Sequence, residues 1–127
     1  MNYFLDTHIL VRRLLEPKRL PKRIKGLFLD GENNFLIPTM AVLEIQYLTE
    51  IGRIEVRMET VLEAIEEEQS FQLAPYDDAV MRHSLLLTTT RDPFDRIILA
   101  HALSRSTRII TQDRWMKETA PHLVVFD

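Results

Sequence analysis

What most constrains this chain is an alternation. Short apolar runs ("YFL", "NFLIP", "FQLAP", "RIIT" and "HLVVFD") recur between stretches with helical spacing. The runs show no regular polar alternation, so they suit strands covered on both faces, and strands separated by helices run parallel. The pattern predicts an α/β fold: a mainly parallel central sheet between helical layers, an α/β/α sandwich. Helices are expected over "HILVRRLL", stopped by Pro17, and over "LPKRIKGLFLDG", ending at Gly31. Thr39 is expected to cap "MAVLEIQYLTEIG", which Gly52 ends. Further helices are expected over "VRMETVLEAIEEEQ", "DDAVMRHSLLL", "RDPFDRIILAHALSR" and the short "RWMKET".

The 127 residues, 46% of them hydrophobic, suffice for one domain with a buried core, and no repeat or linker divides them. No stretch approaches the roughly 20 apolar residues that span a bilayer. The start "MNYFLDTHIL" lacks the basic opening and cleavage site expected of a signal peptide. The absence of cysteine removes disulfides, thiolate zinc sites and cysteine nucleophiles together. A cytoplasmic location is the expectation.

The net charge of −3 neither suggests nor forbids nucleic acid. Its distribution says more. Seven basic residues, among them Lys18, Arg19, Lys22 and Arg23, lie between Arg12 and Lys25 against one acid, Glu16. Such an arm could hold phosphates, or it could be a solvated helix face. The acidic block from Glu59 to Glu68 reads as a solvated face.

In parallel sheets of this kind, sites lie outside the carboxyl ends of the strands. Asp6 directly follows the first strand, and Asp113 closely follows the fourth. Asp92 and Asp95 open the helix before the fourth strand. Glu44 sits inside a helix beside Val42, Leu43 and Ile45. Three of these acids have a second meaning as helix caps: Asp6 for "THILV", Asp113 for "RWMKE", and Asp92 with Pro93 at the first helical position. Capping explains Asp95 only partly, and it does not explain Glu44. A carboxylate in so apolar a helix costs free energy unless it has a partner.

Taken together, acids converging on one rim repel. Two unit charges ~4 Å apart interact by about 4 kcal/mol at an effective dielectric near 20. A divalent cation relieves that repulsion, and ligands that are all hard oxygens favour Mg2+ or Mn2+. Acid-only metal rims suit phosphodiester hydrolysis, where the ion lowers the pKa of a bound water and screens phosphate charge. Other chemistries lack their residues. The four histidines (His8, His83, His101, His122) have no paired zinc spacing, no G-x-S-x-G turn is present, and three glycines make no phosphate-cradling loop. Trp115 and Tyr47 read as packing or as base-stacking residues.

With "FLDTH", "IPTMAVLEI", "RDPFDRIILAHAL", "ITQD" and a final "LVVFD" in this order, the chain resembles the PIN-domain ribonucleases, in particular VapC-type toxins of toxin–antitoxin pairs. The resemblance runs nearly end to end. It implies one PIN domain over residues 1–127, in which Asp6, Glu44, Asp95 and Asp113 hold one or two Mg2+ or Mn2+ ions and activate the water that cuts RNA. It implies auxiliary places for Asp92, Thr7 and Thr111, while Arg96 could pair with an acid or with phosphate. His8 stands where many relatives carry Asn. A small antitoxin partner and a homodimer are further implications. Two other classes remain to be separated: a catalytically silent RNA-binding or scaffold relative, and a receiver-like phospho-signalling domain. The latter would want paired acids after the first strand and a Lys after the last, and neither is present.

Overall fold

The computed structural model describes residues 1–127. The chain forms β1 (Asn2–Leu5), α1 (Thr7–Leu15), a 3-10 turn (Pro17–Arg19), α2 (Lys22–Leu29), β2 (Asn34–Pro38), α3 (Thr39–Glu50), α4 (Met58–Glu67), β3 (Phe71–Ala74), α5 (Asp78–Leu86), α6 (Pro93–Ser104), β4 (Arg108–Ile110), α7 (Arg114–Thr119) and β5 (Val124–Val125). All strand pairs are parallel, in the order β3-β2-β1-β4-β5. The expected alternation and the expected parallel sheet are both present. A receiver-like domain has the order 2-1-3-4-5, so this topology excludes that reading.

Side chains on successive strand residues point to opposite faces, and here both faces are apolar. Tyr3, Leu5, Phe35, Ile37 and Ile110 pack with Ile9, Leu10, Ile24, Ile45, Val61 and Ile65. That layer holds α1, α2, α3 and α4. Phe4 and Ile109 face the other way, onto Val80, Ile98, Leu99, Ala102 and Met116 of α5, α6 and α7. A strand can satisfy two cores only if it has no polar face, which is why the runs in the sequence are unbroken. β3 is the exception. It lies at the sheet edge, and Gln72 and Leu73 are exposed.

Several boundaries differ from the sequence expectation. Thr39 does not cap α3; it is that helix's first residue, it is exposed, and Pro38 precedes it without a side-chain cap bond. β2 runs straight into the helix, which leaves no residue between them to serve as a cap. Leu20 and Pro21 lie between the 3-10 turn and α2, and α2 stops at Leu29 before Asp30 and Gly31. α4 starts at Met58, while Val56 packs against the core from the preceding loop. β5 is only two residues long. Gly52 does close α3 as expected. Its φ of +78° is open to glycine at little cost, and its N–H reaches the Thr49 carbonyl at 3.1 Å. No helix is long and apolar enough to cross a membrane.

Candidate active site

The strand order reverses beside β1, which has β2 on one side and β4 on the other. This is the topological switch point, where open α/β sheets leave a crevice at the carboxyl ends of their strands. Asp6 emerges from β1 and Asp113 from β4 at that crevice. The backbone N–H of Asp6 donates to the Ile110 carbonyl at 3.1 Å, which ties the two strand ends together.

Asp6 is buried, and each of its carboxylate oxygens accepts one hydrogen bond. Oδ1 accepts from the Thr7 N–H at 2.8 Å, and Oδ2 accepts from the Thr111 hydroxyl at 2.7 Å. Thr111 Oγ1 in turn accepts from the Asp113 N–H at 2.9 Å, and Asp113 Oδ1 accepts from the Met116 N–H at 3.0 Å, capping α7. Thr111 therefore links the two strand-end acids. Capping and site placement coexist in Asp6 and Asp113, because a helix that starts at a strand end puts its cap in the crevice.

Asp92 and Asp95 divide the work. Asp92 Oδ1 accepts from the Phe94 N–H at 2.9 Å and the Asp95 N–H at 3.3 Å, with Pro93 at the first helical position. The Asp95 carboxylate does not close a capping box: the Asp92 N–H goes to Thr90 Oγ1 at 3.3 Å instead. The second acid is thus left free of punctuation. Glu44 lies in α3 with only 6% of its surface exposed, and its Oε1 has no hydrogen-bond partner. The Thr7 hydroxyl is buried nearby, also without a partner meeting hydrogen-bond geometry.

The electrostatics bind these residues into one group. The Asp95 carboxyl is pushed up to about 8, first by burial and then by the charges of Asp92, Asp6, Asp113 and Glu44. Burial also raises Asp6, against the easing effect of the Thr111 hydrogen bond, His8 and the Thr7 N–H, with Asp113 adding to the rise. Glu44 is raised by burial, eased by the nearby Thr7 hydroxyl and His8, and raised again by Asp6 and Asp92. Each of the three shifted acids thus feels at least one of the others or Asp113. As the side chains lie, no three His, Cys, Asp or Glu groups close into a ready metal cage. The donor set nevertheless fits a hard dication: it consists of carboxylate oxygens, one of them buried without a partner, and three of the acids resist ionising unaided. Asp6, Glu44, Asp95 and Asp113 are the residues able to hold such an ion.

A cavity of about 220 Å3 opens here, lined by Asp6, His8, Arg12, Gln112 and Asp113. The largest cavity, about 660 Å3, lies elsewhere, around Thr49 and the loop from Gly52 to Arg57, and contains none of the five acids. Sequence reasoning missed Arg12 and Gln112 as members of the acid cavity and gave His8 no more than a variant position. A signal was available: His8 and Arg12 are four residues apart, hence on one helical face, and Gln112 lies between Thr111 and Asp113.

Arg96 does not join the site. Its Nε and Nη2 donate to the Ser84 carbonyl at 3.2 and 3.0 Å, clamping α6 to the last turn of α5. No acid pairs with it, and two of its five donors go to that carbonyl. Lys18, Arg19, Lys22 and Arg23 are exposed and line none of the acid cavity. Arg19 pairs with Glu16 at 2.9 Å, and Arg23 reaches the Asp127 backbone carbonyl at 3.3 Å. His101 is fully buried against the Phe4 ring with both ring nitrogens unpartnered, a core histidine. Trp115 donates to Thr89 Oγ1 at 2.8 Å, and Tyr47 rests on Phe94.

The family model for the PIN domain matches residues 3–120. Among curated proteins, none is a significant match by sequence. Several solved structures share the fold. VapBC2 from Rickettsia felis, bound to a DNA fragment from its promoter, superposes with a TM-score of 0.71 at 18% identity, over 98% of this chain and 96% of that one. DNA-bound VapBC from Salmonella typhimurium gives 0.70 at 21% identity, over 98% and 97%. VapBC-1 from nontypeable Haemophilus influenzae gives 0.65 at 20% identity, over 98% and 96%.

Proposed function

Because this chain belongs to the PIN domain family, we propose that it is a nuclease, specifically a Mg2+- or Mn2+-dependent endoribonuclease and the toxin of a toxin–antitoxin pair. Asp6, Glu44, Asp95 and Asp113 would hold one or two ions. When bound, such an ion supplies a water of lowered pKa and offsets the charge of the phosphodiester. The protein's part is positioning. Thr111 and the Thr7 N–H fix the Asp6 carboxylate in one orientation. A bound cation would offset the neighbouring negative charges that raise Asp95 and so favour its ionised form. Attack is in line, leaving 5′-phosphate and 3′-hydroxyl ends. The observation that carries this reading is Glu44, buried in an apolar helix with its Oε1 unpartnered, beside an Asp95 carboxyl that caps nothing and that burial and four neighbouring acids raise; a cation would satisfy both.

The toxin assignment, with a small antitoxin as partner, is supported by the fold shared with the VapBC complexes. A homodimer is supported by an uncovered apolar stripe. Leu43 and Tyr47 of α3 and Ile51 at its C-cap recur every fourth residue and are 53%, 45% and 48% exposed, and Leu85 and Leu86 are exposed at the end of α5. The whole chain acts as one domain in the cytoplasm, and the exposed arm of Lys18, Arg19, Lys22 and Arg23 meets the RNA backbone at a distance from the cut.

The test is to incubate the purified protein, free of antitoxin, with labelled total RNA in Mn2+ or in EDTA, beside Asp6→Asn. Discrete fragments that need both the ion and Asp6 are expected. Equal cleavage by Asp6→Asn, or cleavage indifferent to chelator, sinks the reading. A second reading, a silent RNA-binding or scaffold domain, draws on the open arrangement of the acid side chains; it predicts RNA bound and never cut.

A further inference from the structure

We propose that Arg12, held by Gln112, is a phosphate-binding residue of the acid cavity, gripping the RNA backbone next to the phosphodiester that is cut. The inference rests on the endoribonuclease reading and adds the means by which an acidic cleft retains a polyanion.

Arg12 and Gln112 are 100 residues apart in the chain, yet the Arg12 guanidinium donates to Gln112 Oε1. Arg12 projects from α1 six positions after Asp6. Gln112 lies between Thr111 and Asp113, both already fixed by the hydrogen bonds of the strand ends. The two side chains thus stand over the same cavity as Asp6 and Asp113. A guanidinium beside two carboxylates is expected to fall into an ion pair. Arg12 does not: the ion pairs of this protein are Arg13–Glu68, Arg19–Glu16, Arg57–Glu59 and Arg82–Asp78. A neutral amide holds it instead, leaving its charge uncancelled and its remaining donors free.

The cavity therefore has two chemical walls. One is acidic, suited to a metal. The other carries Arg12, with His8 on the same helical face, and is suited to an anion. The planar fork of a guanidinium matches two non-bridging phosphate oxygens. Without such a group, an acid-rich cleft on a chain of net charge −3 repels RNA. The exposed arm from Lys18 to Arg23 lines none of this cavity, so Arg12 is the arginine set apart for the job.

The experiment compares the full chain with Arg12→Met, Arg12→Lys and Gln112→Leu, each first checked for unaltered circular dichroism. Two quantities are read. One is the affinity for a fluorescein-labelled single-stranded RNA oligonucleotide in EDTA across a salt series. The other is the split between KM and kcat for RNA cleavage in Mn2+. Arg12→Met should weaken binding about tenfold and flatten the plot of log affinity against log salt by about 0.7, the share of one single-strand phosphate contact. Its KM should rise about tenfold while kcat moves far less. Arg12→Lys should keep most of the salt slope. Gln112→Leu should weaken binding by a smaller factor at unchanged slope, because the charge remains but is no longer aimed. If Arg12→Met cuts RNA with unaltered KM, the inference falls and the nuclease reading stands. If the unsubstituted protein neither binds nor cuts RNA, the nuclease reading falls and takes this inference with it. If Arg12→Met fails to fold, the other two variants decide: affinity and KM equal to the parent's in both overturn the proposal.

Discussion

Thr111 donates its hydroxyl hydrogen to Asp6 Oδ2 over 2.7 Å, across 105 residues of chain. Thr111 Oγ1 itself accepts from the Asp113 N–H. Thr111→Val keeps the shape and removes both bonds. A buried carboxylate oxygen loses its donor, which costs about 1–3 kcal/mol. Urea unfolding at pH 7 should show that loss, and Thr111→Ser should recover most of it. A valine variant as stable as the parent would mean the bond contributes nothing to stability.

The raised Asp95 carboxyl has a consequence for pH. Folded Asp95 retains its proton up to about 8, whereas the unfolded chain releases it near the ordinary value of 3.8. Between those values the folded state binds more protons, so stability falls as pH rises. In metal-free buffer the unfolding midpoint should drop between pH 6.5 and 8. Asp95→Asn should flatten that drop, and Mn2+ should reverse it in the parent alone. A parent profile that is flat over this window, measured by thermal unfolding in EDTA, contradicts the assignment.

His101 acts in the opposite sense. Burial lowers it to about 4, with Arg105 adding to the effect and Asp77 opposing it. Between pH 6.5 and 4 the unfolded chain takes up a proton that the folded chain refuses, so stability falls as pH falls. The full effect is about 3 kcal/mol. His101→Leu should abolish this part of the acid sensitivity, read as the difference between urea midpoints at pH 7 and pH 5. An equal difference in both proteins removes His101 as the cause.

Arg96→Ala deletes two charge-assisted bonds to one carbonyl in the last turn of α5. The expected loss is about 1–3 kcal/mol in urea unfolding, with the α5–α6 region exchanging amide hydrogens faster. RNA affinity per folded molecule should stay within about twofold. A large loss of affinity without loss of stability would return Arg96 to the RNA-contacting role considered from sequence.

If the α3 stripe forms the dimer seam, one charge should open it. Leu43→Glu and Tyr47→Lys should each give monomers in sedimentation equilibrium at concentrations where the parent is dimeric. Their circular dichroism should be unchanged, because both side chains are exposed. Dimers that survive both changes place the interface elsewhere.

The order of elements was readable because the inner strands β1, β2 and β4 serve two cores and are apolar beyond their first residue; Phe4 and Leu5 face opposite layers and neither is polar. Strand order was not readable, since it depends on which parallel neighbours pair across the sheet. Glu44 stood out as an acid in an apolar helix, and Asp95 as one acid more than a cap requires. The bond from Arg96 to the Ser84 carbonyl was not readable, because that acceptor is reached only where α5 meets α6. Thr39 misled because β2 passes into α3 without the intervening residue that a cap needs. Arg12 was hidden among the other basic residues, and only the approach of Gln112 from β4 separates it from them.

The placement of Asp6 and Asp113 on neighbouring strands from opposite ends of the sequence also bears on synthesis. β1 lies inside the sheet and needs β4 at its flank before the crevice exists. Until β4 has emerged and docked beside β1, the growing chain holds Asp6 without Asp113. On the nuclease reading proposed above, no chain shorter than that has a working centre with which to cut the RNA around it.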